Sequence, residues 1–242
     1  RGVVIAAGNL GWRNVPLGEL LRKRLGVRVA VDNDANVAAW GEATVGAGAG
    51  CDSLLAVWVG TGVGAGIVLN RSIWRGDLFT AGEIGHVVAF ANGMAGSRTV
   101  EDFCSRTGVV RSLTALAGLH PDSIFHRAMA RHVEDGKSGP LGSGAIAECY
   151  EAGDPLVCDV VHAAADLLGS TVANWVTMMS MRTVVLGGGL TEAIGKPWVE
   201  RVEAAARARV FPQAIAPRIA VRMTKLREEA GVLGAAMLAW ND

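Results

Sequence analysis

Apolar residues follow two spacings along the chain, and each spacing predicts one kind of element. Short apolar runs, typical of strands, lie at residues 1–6, 27–31, 53–59, 64–69, 184–186 and 218–223. Helical spacing predicts helices at residues 16–25, 35–45, 100–117, 121–133, 144–152, 154–181, 197–210 and 228–240. Residues 75–98 are glycine-rich and follow neither spacing. Strands that alternate with helices predict an α/β fold, with a hairpin at residues 53–69.

The composition is that of a globular protein without a charge bias. Of 242 residues, 50% are hydrophobic and 19% charged, and 23 Lys and Arg balance 23 Asp and Glu. This balance gives no general attraction to nucleic acid or anionic lipid. The four cysteines lack a metal-ligand spacing, which indicates reduced thiols in a cytoplasm. The longest uncharged apolar run, residues 54–69, is interrupted by four glycines and is shorter than a bilayer span, so no membrane helix is predicted.

A polar cluster lies at the junction between the strand predicted at 27–31 and the helix predicted at 35–45. Asp32, Asn33 and Asp34 follow one another there. Asp and Asn are favoured helix N-caps, so capping alone explains the cluster. A role for Asn33 and Asp34 in binding or reacting with a substrate explains it as well. This stretch by itself leaves both explanations open.

Two glycine clusters follow predicted strands. In Gly60-Thr61-Gly62-Val63-Gly64-Ala65-Gly66, the missing side chains let backbone N–H groups approach an anion, and Thr61 adds a hydroxyl donor. Gly187-Gly188-Gly189 follows the strand at 184–186 and forms a bare loop against which a ligand can lie. A tight hairpin and a simple turn are the structural alternatives. Because α/β sheets bind ligands beyond the carboxyl ends of strands, two such clusters together favour a ligand site.

A carboxylate and an imidazole lie three residues apart in Gly82-Glu83-Ile84-Gly85-His86. The Glu83 carboxylate accepts two hydrogen bonds and the His86 ring donates one and accepts another, so the pair is suited to vicinal hydroxyls. A solvated loop is the alternative. A metal site is less favoured, because His86 has no neighbouring Cys or His to complete a coordination shell.

Together these motifs resemble the ROK (repressor, open reading frame, kinase) family of sugar kinases and sugar-responsive repressors. The resemblance covers nearly the whole chain and rests on six segments in family order. They are Asn9-Leu10-Gly11-Trp12 with Val15-Pro16-Leu17, Asn33-Asp34-Ala35-Asn36, Gly60 to Gly66, Gly82 to His86, Val185 to Gly189, and Ala230-Gly231-Val232-Leu233-Gly234-Ala235-Ala236.

The resemblance implies an actin/hexokinase-like (ribonuclease H-like) ATPase fold of two α/β domains that close over sugar and ATP. Residues 1–32 are then the remnant of an incomplete first domain, and residues 33–225 form the second domain. Residues 226–242 are expected to form a closing helix that packs back on the first domain. Because residues 1–6 read like the middle of a strand, the sequence is expected to be an N-terminally truncated fragment.

The resemblance also implies roles for individual residues. Asp34 corresponds to the catalytic base that takes the proton from the attacking sugar hydroxyl. The side chains expected to bind the sugar are Asn33, Glu83, His86 and Glu101. The residues expected to contact the ATP phosphates are Gly60, Thr61 and Gly62, with Gly187, Gly188 and Gly189 beside the nucleoside. Phosphoryl transfer needs mainly positioning and charge balance, and one carboxylate at the hydroxyl suits that task.

Two family features are missing from the sequence. An Asp-x-Gly-Gly-Thr phosphate motif does not occur, and with it the acid that is linked to Mg²⁺; both are expected in an absent N-terminal segment. Many family members also bind zinc through a cysteine cluster together with the His of the Glu-x-Gly-His motif. Residues 91–98, where that cluster is expected, contain no Cys, so no zinc is predicted, and none of the site residues is assigned to a metal.

The favoured function is an ATP-dependent kinase for a hexose or amino-hexose, acting in the cytoplasm as a homodimer. The alternative is a sugar-sensing repressor of the same fold, which requires a helix-turn-helix upstream and would then bind nucleic acid. Retention of Asp34 favours the kinase, because a sensor has no use for a proton acceptor there. A dinucleotide-dependent oxidoreductase is disfavoured, because a G-x-G-x-x-G needs glycine where the chain has Ala65 or Ile67. The sequence does not determine which sugar is bound.

Overall fold

The computed structural model describes residues 2–7, 10–136 and 138–241, with the backbone alone at residue 241. Asn9, part of the first motif, lies outside the described residues, as do Arg1 and Asp242 at the ends of the expected domains. Seven strands form two sheets in the described part. A two-stranded antiparallel sheet pairs β1 with β2, and a five-stranded mixed sheet has the order β5-β4-β3-β6-β7. The strands are β1 Val4–Ala7, β2 Trp12–Val15, β3 Leu54–Val59, β4 Val63–Leu69, β5 Ser72–Ile73, β6 Thr183–Gly187 and β7 Ala220–Met223.

Ten helices surround the sheets in the described ranges. They are α1 Leu17–Leu25, α2 Asp34–Thr44, α3 Val100–Cys104, α4 Arg106–Leu116, α5 Phe125–Glu134, α6 Ser143–Glu151, α7 Pro155–Met179, α8 Gly189–Ile194, α9 Lys196–Arg209 and α10 Ala230–Asn241. Of these, α7 is long and apolar enough to cross a membrane, but 61% of its most apolar stretch is buried inside the fold. It is therefore placed as the core helix, and the main apolar core lies between it and the five-stranded sheet.

The register of the large sheet decides where its loops meet. Strands β3 and β4 form the predicted hairpin, with Val59 opposite Val63. Strands β3 and β6 are parallel, with Trp58 opposite Gly187. The carboxyl ends of parallel strands lie at one edge of a sheet, so both glycine clusters meet there.

The pattern at residues 27–31 is wrong as a strand prediction. These residues run as irregular chain, and the Val27 side chain is 60% exposed. No strand in the described ranges pairs with this stretch, so its apolar side chains have no sheet to join. The helix predicted at 100–117 is in fact two helices, α3 and α4, that meet at Ser105. The Ser105 backbone is extended and its hydroxyl accepts the Gly108 N–H, which begins a new helix. The glycines at 187–189 end β6 and begin α8, a short helix that was not predicted.

Helices α2 and α10 cross with their backbones in contact, because each has a glycine at the crossing, Gly41 on α2 and Gly234 on α10. A Cβ atom at Gly234 would lie 2.7 Å from the Val37 carbonyl carbon and 3.0 Å from the Gly41 nitrogen. A Cβ atom at Gly41 would lie 2.6 Å from the Ala230 carbonyl oxygen. Neither helix has room for even a methyl group there.

Replacing Gly234 with Ala is therefore expected to destabilise the protein by about 1–3 kcal/mol, as overpacking does. Gly231 is the matched control on the same helix, because a Cβ atom there meets nothing within 4 Å. Gly231→Ala is expected to stabilise the protein slightly, by up to about 1 kcal/mol, through helix propensity. Urea unfolding of both variants measures the two free energies. A Gly234→Ala variant that is as stable as Gly231→Ala would show that the crossing has room for a methyl group.

Asp154 joins the start of α5 to the start of α7. Its buried carboxylate accepts hydrogen bonds from Val157 N–H at 2.9 Å, from the Ser123 hydroxyl at 2.9 Å and from Ile124 N–H at 2.7 Å. Burial opposes ionisation of this carboxyl, but the three donors outweigh it and hold the pKa of Asp154 below its ordinary value.

A lowered pKa makes the Asp154 contribution to stability depend on pH. The contribution is complete above the unfolded-state pKa, which is about 4, and is lost as pH falls through the folded-state pKa. Asp154→Asn is thus expected to be less stable than the wild type at pH 7, by about 1–2 kcal/mol, with the difference shrinking below about pH 4. Asp159→Asn, an exposed site on the same helix, is the control. If the difference in unfolding free energy between the wild type and Asp154→Asn stays constant from pH 7 to pH 3, the lowered pKa of Asp154 is contradicted.

Candidate functional site

The first half of β4 is the common neighbour of most of the predicted site residues. Helix α2 lies directly on it, because Gly66 presents no side chain. A Cβ atom at Gly66 would lie 2.6 Å from the Ala35 carbonyl oxygen, whereas one at Gly64 would make an ordinary contact, 3.6 Å from the Ala35 Cβ. Gly66 thus brings the start of α2 against the hairpin.

The start of α2 is capped by Asn33. The Asn33 side-chain oxygen accepts the N–H groups of Ala35 at 2.9 Å and Asn36 at 3.2 Å, so capping is a real function of this residue. Its amide nitrogen has no partner among the described residues and remains a donor for a ligand. Asp34, the first residue of the helix, is exposed, and its Oδ1 accepts the Ala35 N–H at 2.9 Å. The second carboxylate oxygen of Asp34 stays open.

Asp32 supports this cluster from inside, a role that the sequence pattern did not reveal. Its side chain is only 6% exposed. It accepts Arg75 Nε–H at 2.6 Å, the Asn36 side-chain amide at 3.0 Å and the Asn33 N–H at 2.8 Å. The strand predicted at residues 27–31 therefore does not hold the backbone at Asn33 and Asp34. Asp32 and Arg75, which comes from the loop after β5, hold it instead. No sequence signal linked Arg75 to residue 32, since 43 residues separate them.

Glu83 directly precedes a short 3-10 turn, Ile84–His86, that lies against β4, and His86 is the last residue of that turn. A Cβ atom at Gly85 would be 3.2 Å from the carbonyl carbon and the Cβ of Val63. The Glu83 Oε2 and the His86 Nε2 are 3.9 Å apart, and the two side chains are 56% and 69% exposed. The two side chains are close enough to contact one ligand, and they are too far apart to hydrogen-bond to each other.

Glu101 closes the site on the other side of the hairpin. Its Oε2 accepts the Val63 N–H at 2.7 Å, and a side chain at Gly62 would overlap the same carboxylate. Helix α3 holds Glu101 in place through a capping box between Thr99 and Asp102. Hydrogen bonds from the backbone N–H groups of Thr99 and Arg98 lower the pKa of Asp102. One carboxylate oxygen of Glu101 is therefore structural, and the other is left for a ligand.

The turn at residues 60–62 is held from one side by α4. The Arg106 N–H donates to the Gly60 carbonyl oxygen at 2.8 Å, and the Arg106 Nη2 donates to the Thr61 hydroxyl oxygen at 2.8 Å. The Thr107 hydroxyl donates to the Thr61 carbonyl oxygen at 2.8 Å. Sequence reasoning missed both residues, because they read only as part of a helix.

The second glycine cluster lies next to this turn. Gly188 has a φ of 89° and packs against the end of β3, where a Cβ atom would be 2.6 Å from the Val59 nitrogen. Only glycine therefore fits at residue 188. The structure brings Gly187–Gly189 beside Gly60 at the carboxyl edge of the sheet, as the register requires.

The arrangement combines an exposed carboxylate, several polar groups with free hydrogen-bonding atoms and a glycine turn with open N–H groups. Such a set is suited to hold a polyhydroxylated molecule next to an anion. Within residues 2–7, 10–136 and 138–241, no three His, Cys, Asp or Glu side chains are grouped to hold a metal ion.

Comparison with known proteins agrees with this geometry. The family model described as "ROK family" matches residues 1–242. The glucokinase of Halalkalibacterium halodurans is 34% identical over 98% of this chain and 71% of its own length. The xylose repressor of Caldicellulosiruptor bescii is 26% identical over 100% of this chain and 59% of its own length.

The fold is shared with solved structures as well. A ROK family glucokinase from Streptomyces griseus, in complex with glucose and AMPPNP, superposes with a TM-score of 0.85 at 29% identity. The superposition covers 100% of this chain and 78% of that one. The likeness confirms the actin/hexokinase-like fold that the motifs imply. The chain belongs to the ROK family.

Proposed function

We propose that this chain is part of an ATP-dependent sugar kinase, which transfers a phosphoryl group to a hydroxyl of a hexose or amino-hexose. The observation that carries the proposal is the exposed Asp34 carboxylate, at the start of a helix that lies on the glycine-turn hairpin. Support comes from the relatives named glucokinase and from the neighbour solved with glucose and AMPPNP. Another relative, from Yersinia pestis, is named N-acetylmannosamine kinase, which extends the substrate class to amino-hexoses.

In this proposal the sugar lies over the start of α2. Asp34 accepts the proton of the attacking hydroxyl through its open carboxylate oxygen, while the Ala35 N–H holds the other oxygen in place. Asn33 donates from its free amide nitrogen. Glu83, His86 and the open oxygen of Glu101 bind further hydroxyls. The transition state of phosphoryl transfer is loose, so these groups contribute mainly by orienting the acceptor.

The ATP phosphates are assigned to the turn formed by Gly60, Thr61 and Gly62, and the nucleoside to residues 187–189. Magnesium, carried by the nucleotide, supplies charge balance at the phosphates. We assign no residue of this chain to the ion, and no step to the ion itself. Zinc is not part of the proposal. The protein is proposed to act in the cytoplasm as a homodimer, away from membranes.

A sugar-responsive repressor is the second candidate, favoured by the similarity to the xylose repressor. The two functions make opposite demands on the full-length gene product. A repressor needs a DNA-binding segment before residue 1 and no turnover, whereas a kinase needs turnover.

The test is a coupled assay of ADP release by the full-length protein with ATP and a panel of hexoses and amino-hexoses. We expect turnover with at least one of them. The same sugar is expected to raise thermal stability at saturation, by about 2.7 kcal/mol at one hundred times its Kd. A sugar that stabilises the protein without any turnover would favour the repressor and contradict the kinase.

A further inference from the structure

The turn at residues 60–62 directs two backbone N–H groups away from helix α4, because α4 binds the carbonyl groups of the same peptide units. In a trans peptide unit, the C=O and the following N–H point in opposite directions. The Gly60 C=O faces α4 and accepts from the Arg106 N–H, so the Thr61 N–H points away from the helix. The Thr61 C=O accepts from the Thr107 hydroxyl, so the Gly62 N–H also points away.

Neither of these N–H groups donates to an acceptor within the described ranges, whereas the flanking amides do. The Gly60 N–H donates to the Gly62 C=O at 2.9 Å, and the Val63 N–H donates to Glu101. Two adjacent, unpaired N–H groups on a glycine turn form an anion-binding concavity. The hydrogen bonds from α4 are what keep both groups aimed at the same place.

Arg106 also fixes the role of the Thr61 hydroxyl. A hydroxyl group has one hydrogen to donate and an oxygen that accepts. Arg106 Nη2 occupies the acceptor side at 2.8 Å, and the hydroxyl hydrogen has no acceptor in the part of the chain that the structure describes. The hydroxyl is therefore set as a donor, next to a positive charge that strengthens it.

The described part of the chain places no opposite charge against the Arg106 guanidinium. No carboxylate among the described residues forms a salt bridge with it. Its Nε–H is buried without a hydrogen-bond partner. A buried guanidinium N–H without an acceptor is uncommon in proteins, and here it lies beside the turn that presents the open N–H groups.

We propose that Arg106 and Thr107 are positioning residues for the phosphoryl donor. They lock the turn at residues 60–62 so that two N–H groups and the Thr61 hydroxyl converge on a phosphate, and Arg106 adds uncompensated positive charge behind it. The proposal rests on the proposed kinase function. Substitutions at Arg106 or Thr107 should therefore weaken the binding of ATP and leave the binding of the sugar unchanged. The groups proposed to bind the sugar lie on α2, on α3 and at the turn of residues 84–86.

The test compares Arg106→Met and Thr107→Val with matched controls on the same helix. Thr114→Val removes a hydroxyl hydrogen bond to the Val110 C=O, and Arg111→Met removes a guanidinium that contacts Asp102 but not the turn. Arg106→Met is expected to raise the KM for ATP about tenfold. The KM for the sugar is expected to stay within about twofold, and Arg106→Lys to recover part of the loss. Both controls are expected to leave the KM for ATP unchanged. Thr114→Val is expected to leave the KM for the sugar unchanged as well, whereas Arg111 contacts Asp102, which helps to hold Glu101.

Amide hydrogen exchange separates this proposal from the proposed function. In the ligand-free protein, exchange at Gly60 and Val63 is expected to be faster in Arg106→Met and Thr107→Val than in the wild type. Wild-type protein that neither binds ATP nor turns over would overturn the proposed kinase function. Faster exchange in the two variants would still show that Arg106 and Thr107 hold the turn at residues 60–62. If the wild type turns over, and both variants keep the wild-type KM for ATP and the wild-type exchange rates, the positioning role of Arg106 and Thr107 is overturned and the kinase function stands. Equal rises in the KM for sugar and ATP would show general loosening and would also overturn that positioning role.

Discussion

Asp34→Asn is expected to reduce kcat for sugar phosphorylation by about 10²- to 10⁴-fold, the contribution typical of a general base. The amide is nearly the same size as the carboxylate and still accepts the Ala35 N–H, so the start of α2 is expected to keep its shape. The amide does not accept a proton from the attacking hydroxyl. The loss should therefore appear in kcat, with the KM for the sugar within a few-fold of wild type. Steady-state kinetics in the coupled assay measures both values.

Asp122→Asn provides the matched control for that variant. It makes the same change of charge at an exposed site, where the side chain has no partner among the described residues. Its kinetics are expected to equal those of the wild type. Undiminished turnover in Asp34→Asn would exclude Asp34 as the base, whatever the control shows.

Glu42→Ala is expected to cost about 3–5 kcal/mol of unfolding free energy. The Glu42 side chain is fully buried on α2, and its carboxylate is the acceptor for four donors. Leu226 N–H donates at 2.9 Å and Ala47 N–H at 2.6 Å. Lys225 N–H and the Thr224 hydroxyl are the other two donors. Alanine would leave all four without a partner and would detach the loop that leads from β7 into α10.

Urea unfolding at constant m-value measures this loss, and Glu200→Ala is the control. Glu200 is 61% exposed on α9, and Lys196, at 3.3 Å, is its one ion-pair partner among the described residues, so its removal is expected to change stability by less than about 0.5 kcal/mol. A loss below about 1 kcal/mol in Glu42→Ala would mean that water replaces the carboxylate.

Local pattern was sufficient where an element packs through its own side chains. The hairpin at residues 53–69 and the core helix α7 follow from their apolar residues, and the structure confirms both. The residues that assemble the site were harder to find, because their roles depend on distant partners. Gly66 was noted as part of a phosphate cradle, yet in the structure it makes room for Ala35 on α2.

The failed strand prediction at residues 27–31 shows the same dependence. An apolar run becomes a strand only beside another strand, and the sequence of the run does not say whether one is present. The two explanations of the polar cluster at residues 32–34 stand differently. Capping is visible in the structure, whereas the proposed roles of Asn33 and Asp34 toward a sugar remain predictions. Glu42 was missed because a single Glu in a helix normally faces solvent, and its partners at Thr224–Leu226 are over 180 residues away.

A crystal structure of the full-length protein with its sugar and a non-hydrolysable ATP analogue tests the central claim most directly. We predict that a carboxylate oxygen of Asp34 lies about 2.6–3.2 Å from one sugar hydroxyl, the reach of a general base. That hydroxyl should face the terminal phosphate, with the N–H groups of Thr61 and Gly62 directed at the phosphate oxygens. A sugar bound with every hydroxyl out of reach of Asp34, or phosphates bound away from the turn at residues 60–62, would contradict the account.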